Sequence, residues 1–332
     1  CFCDPPMDMS RFHRFLALGT EGTLCRTGDF GYAVEDAIQT AAAIRELGPD
    51  AVALILGKGR KSAQVFALAM AASLGDAATR RAALQAMPTF LDTSVDLFSF
   101  CDACRGLRGW GRGLRTAVGR WYSTRSVEVL VREVVGCGEM GGWSHRDLLR
   151  LAHPAAPSPE HDRLFQWITT GEGQPPSVEE PAKPTEPTML EPISRRTLIA
   201  IDSSTSMHGA HWTIAAELAN TLASLTEATV IGFADRFYAL NTPITRTPDS
   251  GGWVDHAVPF AHESPVDAMI MITDADTWNA RSGPEHLRRQ PGRLVVVGLG
   301  PRALFGEVED PDILHVVGYD GSVPELVLAF IA

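Results

Sequence analysis

The amino-acid sequence predicts two modules of different fold class, an α-helical module of HEAT-like repeats and an α/β domain with a parallel sheet. In residues 1–173 the apolar positions recur at spacings of three and four, the periodicity of amphipathic helices. In residues 195–332 short runs rich in β-branched residues alternate with helical patterns, which is typical of strands buried on both faces of a parallel sheet. Residues 174–194 contain six prolines and are predicted to form a semi-rigid linker.

Composition places the chain among ordinary globular proteins. It has 332 residues, of which 45% are hydrophobic and 21% charged. No apolar run is long enough to cross a bilayer and no signal-peptide pattern is visible, so we expect a cytoplasmic protein. All six cysteines lie within residues 1–137, in a chain too large to need a disulfide scaffold, which favours a reducing compartment. Cys1 indicates a trimmed start or, alternatively, a lipid-bearing cysteine.

Individual helices of the first module can be assigned from the residues that begin and end them. The segment EDAIQTAAAIREL, residues 35–47, is rich in alanine and stops at Gly48-Pro49. Residues 62–75 and 76–87 follow with Ser62 and Asp76 at the positions of N-caps. Successive helices with short breaks predict stacked helix pairs, as in an α-solenoid.

Polar residues follow two strands of the second module. The run LIAID ends at Asp202 and continues as D-x-S-x-S, with Ser204 and Ser206, and the run MIMITD ends at Asp274. Ligands of parallel sheets bind at the carboxyl ends of the strands. Carboxylate and hydroxyl oxygens suit a hard cation, so we expect Asp202, Ser204, Ser206 and Asp274 to hold Mg²⁺ or another divalent ion. Alternatively, these residues only cap the following helix.

The D-x-S-x-S segment resembles the metal-ion-dependent adhesion site of von Willebrand factor A domains. That resemblance implies a threonine in a third loop, which corresponds to residues 250–261 here. Trp253 and Val254 stand where the threonine is expected, and Ser250 or Asp255 are candidate substitutes. A fold that persists with a decayed metal site is therefore a further alternative.

Arginines are concentrated between residues 105 and 150, where nine arginines accompany four acidic residues in a chain of net charge −11. The spacing of Arg105, Arg108, Arg112 and Arg115 predicts that they share one face of a helix. Arginine binds phosphate through two parallel hydrogen bonds and stacks on bases. Trp110, Trp121 and Tyr122 lie among these arginines, and we expect such aromatics mostly in the core.

The segments GLRGWGRGLRTAVGRWY and GGWSHRDLLRLAHP, together with RFHRFLALGTEGT, resemble the helical module of TROVE-domain proteins, the family of the Ro autoantigen and its bacterial orthologues. The resemblance covers about residues 11–168 and 197–332. The frequent alanine and arginine and the short helical module suggest a shortened bacterial or phage-type member. It implies binding of small noncoding RNA, either Y RNA or tRNA-like RNA, and of misfolded RNA 3′ ends. It further implies a scaffold or RNA quality-control role and a partner exoribonuclease such as polynucleotide phosphorylase.

The candidate RNA-binding residues are the basic side chains of the two motif segments: Arg105, Arg108, Arg112, Arg115, Arg120, His145, Arg146, Arg150 and His153. Two features depart from the family. Residues 134–142 lack the basic cluster common in its members, and the linker follows soon after L-A-H-P. An open crescent, a smaller ring or a homo-oligomer in which neighbouring chains complete the ring are the resulting alternatives.

Catalysis is not expected. The sequence contains no P-loop, H-E-x-x-H or G-x-S-x-G motif. The alternative to RNA binding is a protein-interaction adaptor whose A domain binds a partner through the divalent metal. A hydrolase that uses Asp202 and Asp274 is a third hypothesis, for which no general base is evident.

Overall fold

The computed structural model describes residues 7–27, 32–172, 190–245, 254–262, 265–274, 292–300, 303–305, 308 and 310–332. The chain divides into two compact units. One unit combines Cys1–Leu16 with Ala37–Thr188, and the other combines Ala17–Asp36 with Met189–Ala332. The predicted combination of a helical module with a mostly parallel α/β domain is confirmed. Within the described residues, no helix is both long enough and apolar enough to cross a membrane.

The first unit is built from helices joined by short turns. They are α1 (Met9–Leu18, whose last two residues belong to the other unit), α2 (Ile38–Leu47), α3 (Pro49–Ile55), α4 (Lys61–Leu74), α5 (Ala77–Phe90), α6 (Ser94–Leu107), α7 (Arg112–Ser123), α8 (Val127–Gly136), α9 (His145–Ala152) and α10 (Pro159–Thr170). A short antiparallel pair, β2 (Glu139–Met140) and β3 (Trp143–Ser144), precedes α9.

Helix α4 forms the centre of this unit because small side chains let its neighbours approach closely. Its residues from Ala63 to Ser73 are all buried, and α2, α3, α5 and α6 contact it. Side chains begin several helices: the Asp76 carboxylate accepts from the Thr79 amide, and Ser144 forms a reciprocal capping box with Asp147. The N-cap predicted at Asp76 is confirmed, whereas the one predicted at Ser62 is wrong, because α4 begins at Lys61 with Arg60 as its N-cap.

The second unit contains a seven-stranded sheet in the order β1-β9-β8-β7-β4-β5-β6. Its strands are β1 (Leu24–Arg26), β4 (Arg196–Asp202), β5 (Glu227–Phe233), β6 (Phe237–Ala239), β7 (Ala268–Thr273), β8 (Arg293–Gly298) and β9 (Ile313–Val317). Each neighbouring pair is parallel except β5 and β6. Two helices of this unit are α11 (Ala210–Leu225) and α12 (Val323–Ile331).

Alternate residues of each strand enter two separate cores. Ile199 and Ile201 pack on the face that carries α11 and α12, whereas Leu198 and Ala200 pack on the opposite face. A sheet buried on both faces explains the continuous apolar runs in the sequence. Because β4 and β7 are adjacent and parallel, the residues that follow them emerge at the same edge of the sheet.

The predicted module boundary at residues 1–173 requires a correction, since residues 17–36 belong to the C-terminal unit. Strand β1 pairs with β9 in parallel, with Leu24 opposite His315. Leu18 and Cys25 lie in the sheet core. This strand is only three residues long, so periodicity along the sequence does not indicate its partner. Most of the predicted linker, residues 174–189, lies outside the described residues.

Thr23→Val tests the attachment of β1 to the C-terminal unit. Thr23 is 2% exposed, and its hydroxyl accepts a hydrogen bond from the Val308 amide at 3.0 Å. The nearly isosteric substitution leaves that buried amide without an acceptor, so the free energy of unfolding should fall by about 1–3 kcal/mol. Urea unfolding measures the loss, and hydrogen exchange of residues 313–317 should accelerate.

The matched control is Thr221→Val, which alters an exposed threonine whose hydroxyl donates to Glu217 O within α11. We expect a change within about 0.5 kcal/mol. Equal stability of the two variants would contradict the assignment of residues 17–36 to the C-terminal unit.

Candidate functional site

The D-x-S-x-S segment places polar groups at the carboxyl end of β4. Asp202 is fully buried, and its Oδ1 accepts from the Ser204 amide at 2.8 Å. Its Oδ2 accepts from the Thr273 hydroxyl at 2.7 Å. Ser204 Oγ lies 3.1 Å from Ser206 Oγ. The carboxylate is thus held in one orientation from both sides.

Asp274 follows β7 and is 6% exposed. Burial raises the pKa of the Asp202 carboxyl above its ordinary value, the hydrogen bonds from Ser204 and Thr273 oppose the rise, and the charge of Asp274 adds to it. Two acidic groups at one sheet edge with little water around them repel each other, and a divalent cation would relieve that repulsion. The oxygen donors of Asp202, Asp274, Ser204 and Ser206 therefore fit a hard cation.

Serine hydroxyls are essential to any such site. No group of three or more His, Cys, Asp or Glu side chains suited to a metal occurs within the described residues. Carboxylates alone therefore do not make a ligand set here, and the cation would depend on Ser204 and Ser206 for further donors.

The third loop reaches this edge through a residue that sequence analysis missed. Ser250 and Trp253 lie outside the described residues, while Val254 is buried in the core. Asp255 Oδ1 accepts from the Ala257 amide at 2.9 Å. His256 is 1% exposed, with Nε2 3.3 Å from Thr273 Oγ1.

These contacts form a chain of hydrogen bonds directed at Asp202. The Thr273 hydroxyl gives its one proton to Asp202, so Nε2 of His256 is the donor to Thr273. Burial lowers the pKa of His256 to about 4, so the imidazole is neutral near pH 7. A threonine immediately before the strand-end aspartate was the available sequence signal, but spacing alone does not connect it to Asp202.

The prediction that four arginines share one helix face is wrong. Helix α6 ends at Leu107, and α7 begins at Arg112. Between them Gly109 has a φ of +83°, a left-handed conformation that suits glycine and separates the two helices. Arg105 lies on α6, Arg108 is its C-cap, and Arg112 and Arg115 lie on α7.

Two of these arginines are engaged in contacts with the protein. Arg105 pairs with Asp102 at 2.5 Å, and its guanidinium carbon lies 4.8 Å from the Trp143 ring centroid. Arg108 Nη1 donates to the Ser73 carbonyl at 3.2 Å. Both side chains are nevertheless exposed and retain further donors, because a guanidinium carries five N–H groups.

Helix α7 separates apolar and basic residues cleanly. Trp121 and Tyr122 are fully buried, as expected for core aromatics. Arg112, Arg115 and Arg120 are exposed. Since the apolar side faces the interior, these three guanidinium groups project from the surface of the unit.

His145 requires a second correction, because it is 2% exposed and cannot contact RNA at the surface. Its Nε2 lies 3.0 Å from Ser94 Oγ, and its Nδ1 lies 2.7 Å from the Tyr122 hydroxyl. The imidazole therefore joins α6, α7 and α9. Burial lowers the pKa of His145 to about 4.

The remaining candidates of α9 are on the surface. Arg146, Arg150 and His153 are exposed, and Arg150 Nη2 donates to the Thr169 carbonyl at 3.2 Å. His153 ends the helix in the left-handed conformation, with a φ of 46°. Because α7 and α9 pack together, their exposed basic side chains belong to adjoining surfaces of one unit.

The chain joins a helical-repeat unit to an α/β unit that carries D-x-S-x-S at the end of a central strand. This is the combination that the sequence resemblance to Ro proteins predicts. RNA-binding protein RO60 of Caenorhabditis elegans is 26% identical over 219 residues, covering 52% of this chain and 34% of that protein. RNA-binding protein RO60 of Deinococcus radiodurans is 32% identical over 187 residues, covering 53% of this chain and 34% of that protein. The resemblance to Ro proteins that the motifs of the helical module predict is thus confirmed.

The structural comparison agrees with the sequence similarity. The crystal structure of the Deinococcus radiodurans Ro (RSR) protein matches with a TM-score of 0.69 and 19% identity, over 97% of this chain and 99% of that chain. The two share a fold. This chain spans about a third of the length of the curated relatives that it matches. No family model matches the sequence.

The buried His145 predicts a specific dependence of stability on pH. Its pKa is about 4 in the folded protein against 6.5 ordinarily, so the unfolded state takes up the proton first as the pH falls. The stabilisation is complete above pH 6.5 and is lost toward pH 4, by about 3 kcal/mol. His145→Gln should therefore show a smaller loss of unfolding free energy over this range than wild type.

Urea unfolding at pH 7 and pH 4.5, followed by tryptophan fluorescence, measures this difference. Wild type also contains buried His256 and His315, with pKa values of about 4, so the comparison between variant and wild type isolates His145. The variant should be less stable at pH 7, because the amide does not reproduce both hydrogen bonds. An identical pH dependence in the two proteins would rule out a neutral, buried His145.

Proposed function

We propose that this chain is an Ro-type RNA-binding protein whose helical unit binds the RNA. The observation that carries the proposal is the exposed basic surface on α7 and α9, in a chain similar to two proteins named RNA-binding protein RO60. Arg112, Arg115 and Arg120 contribute from α7, and Arg146 and Arg150 from α9. We refer to these five side chains as the α7–α9 basic surface.

The rigid placement of α9 and the positive charge of its arginines account for the proposed RNA binding. The buried contacts of His145 with Ser94 and Tyr122 fix α9 against α6 and α7, so the arginines are presented from a rigid support. Guanidinium groups bind phosphate oxygens in pairs and release condensed counterions. His145 is thus a positioning residue, and His153 is a candidate contact at the end of the same surface.

The proposed ligand is a small structured noncoding RNA, of the Y RNA or tRNA-like kind, including misfolded RNA with single-stranded 3′ ends. The protein would act as a scaffold or RNA quality-control factor rather than as an enzyme. We further propose an exoribonuclease partner, such as polynucleotide phosphorylase, and a homo-oligomer. These extensions rest on the resemblance to Ro proteins.

The C-terminal unit is proposed to bind Mg²⁺ or a related divalent ion through Asp202, Ser204, Ser206 and Asp274. A bound cation would supply positive charge to two buried carboxyl groups and an open coordination position for an acidic group of a partner. This favours, as a second candidate function, an adaptor role for the sheet edge. His256 would hold Thr273, and through it Asp202, in the orientation for binding.

Arg146→Gln/Arg150→Gln tests the RNA proposal. Filter binding of a small structured RNA with a free 3′ tail is measured across salt concentrations. Loss of two phosphate contacts should weaken binding and reduce the slope of log K against log salt by about two. Arg11→Gln, an exposed arginine on α1, is the matched control and should behave as wild type. Salt-independent binding, or equal binding by all three proteins, would refute the proposal.

Asp202→Asn and Ser204→Ala test the metal proposal. At a concentration of Mg²⁺ one hundred times its dissociation constant, the cation should raise the unfolding free energy of wild type by about 2.7 kcal/mol. Neither variant should respond. Asp312→Asn is the control, because this exposed carboxylate precedes β9 at the opposite edge of the sheet. Calorimetry with Mn²⁺ gives an independent reading, and no heat with wild type would refute the site.

A further inference from the structure

A pocket of about 340 Å³ lies in the helical unit where α4 ends and α7 begins. Helices α5 and α6 complete its walls, with Leu84 from α5 and Cys104 from α6. Pockets that hold small molecules begin at about this size, which also suits a single nucleotide. The G-W-G-R-G segment, residues 109–113, lines the pocket, which shares Arg112 with the α7–α9 basic surface but includes no residue of α9.

Three arginines line this pocket: Arg80, Arg108 and Arg112. Arg80 Nη1 donates to the Gly75 carbonyl at 3.2 Å, and Arg108 Nη1 donates to the Ser73 carbonyl at 3.2 Å. Both carbonyls lie at the end of α4, where helix carbonyls lack partners in the next turn. The two guanidinium groups are therefore anchored by one N–H each, and four N–H groups of each remain to be satisfied by other contacts.

The backbone adds positive potential to the same space. Residues 111–114 line the pocket, and the Arg115 amide makes the bond of α7 to the Gly111 carbonyl. The amides of residues 112–114 lie before this hydrogen bond, in the first turn of α7. The N-terminal turn of a helix carries partial positive charge and therefore favours anions. None of the residues lining the pocket in the described part of the chain is acidic. The nearby Asp76 carboxylate accepts from the Thr79 amide and hydroxyl.

An aromatic side chain completes the pocket. Trp110 lines it and packs against Trp143, with ring centroids 5.0 Å apart. The indole Nε1 of Trp110 is buried and has no hydrogen-bond partner within the described residues, although buried indole N–H groups usually have one. An indole ring provides a surface on which a base can stack. The thiol of Cys104 is inert here, because burial raises its pKa to about 12.

We propose that this pocket binds the terminal nucleotide of an RNA strand that ends in a phosphate monoester. A terminal monoester carries up to two negative charges, whereas an internal diester carries one, so three guanidinium groups and a helix N-terminus favour the terminal group. Trp110 contacts the base or sugar. The inference deepens the proposed RNA binding and rests on it, since it names the part of the RNA that this second site recognises.

The experiment compares single-stranded RNA hexamers that carry a 5′-phosphate, a 3′-phosphate or only hydroxyl ends, each labelled at the end away from the phosphate. Fluorescence anisotropy with the full chain gives the affinities. We expect one phosphorylated hexamer to bind at least about tenfold more tightly than the hydroxyl hexamer. The 5′ and 3′ forms show which end is recognised. Inorganic phosphate should compete with that hexamer.

Two variants should abolish the preference for phosphate. Arg112→Gln removes a charge from the pocket without disturbing the anchors of Arg80 and Arg108. Gly111→Leu adds bulk at the wall and keeps the charge; its φ of −96° accepts an L residue, and a Cβ there would meet no heavy atom within 4 Å. Arg81→Gln, an exposed arginine of α5 that lies outside both the pocket and the α7–α9 basic surface, is the matched control and should retain the preference.

Equal affinity for all three hexamers, or a phosphate preference that survives both pocket variants, would overturn the proposal. The structured RNA used to test the α7–α9 basic surface is measured in parallel. If it binds while the hexamers show no phosphate preference, the pocket proposal alone fails. If neither binds, both proposals fail.

Discussion

Polar groups removed from water raise the free energy of the fold unless they gain hydrogen-bond partners, and this constraint shapes the candidate sites of both units. His145 is held by Ser94 and Tyr122, and Asp202 is held by Ser204 and Thr273. Leaving one such group unpaired costs about 1–3 kcal/mol, a large fraction of the stability of a typical domain. The same contacts that satisfy these groups fix the helices and strands from which the surface residues project.

The arginines between residues 105 and 150 divide according to this constraint. Arg125 is half-buried and donates to the carbonyls of Pro88, Leu91 and Trp121, which makes it part of the scaffold. Arg108 combines a structural bond to Ser73 with a place in the pocket wall. The arginines of α7 have their apolar neighbours beneath them and their charges outward. The net charge of residues 105–150 therefore overstates the number of arginines that a nucleic acid can contact.

In the C-terminal unit the same constraint acts on the acidic residues at the carboxyl ends of the sheet strands. Parallel pairing of β4 with β7 brings two acidic residues to one edge, although they are far apart in the sequence. Burial makes their charge costly, and the proposed divalent cation would offset that cost. The His256–Thr273–Asp202 chain shows how the third loop takes part without the expected threonine, since a histidine reaches the site through a neighbouring hydroxyl.

The sequence by itself determined the two fold classes, the D-x-S-x-S strand end and the concentration of arginines between residues 105 and 150, because these depend on local periodicity and on residues close together in the chain. Only the tertiary structure decided the rest. It placed β1 beside β9, buried His145, divided Arg105 from Arg112 at Gly109, and assembled the pocket of Arg80, Arg108 and Trp110. The strand pairing, the burial of His145 and the pocket depend on contacts between residues distant in sequence, whose free energy local patterns do not encode, whereas the break at Gly109 is a local turn that the arginine spacing did not reveal.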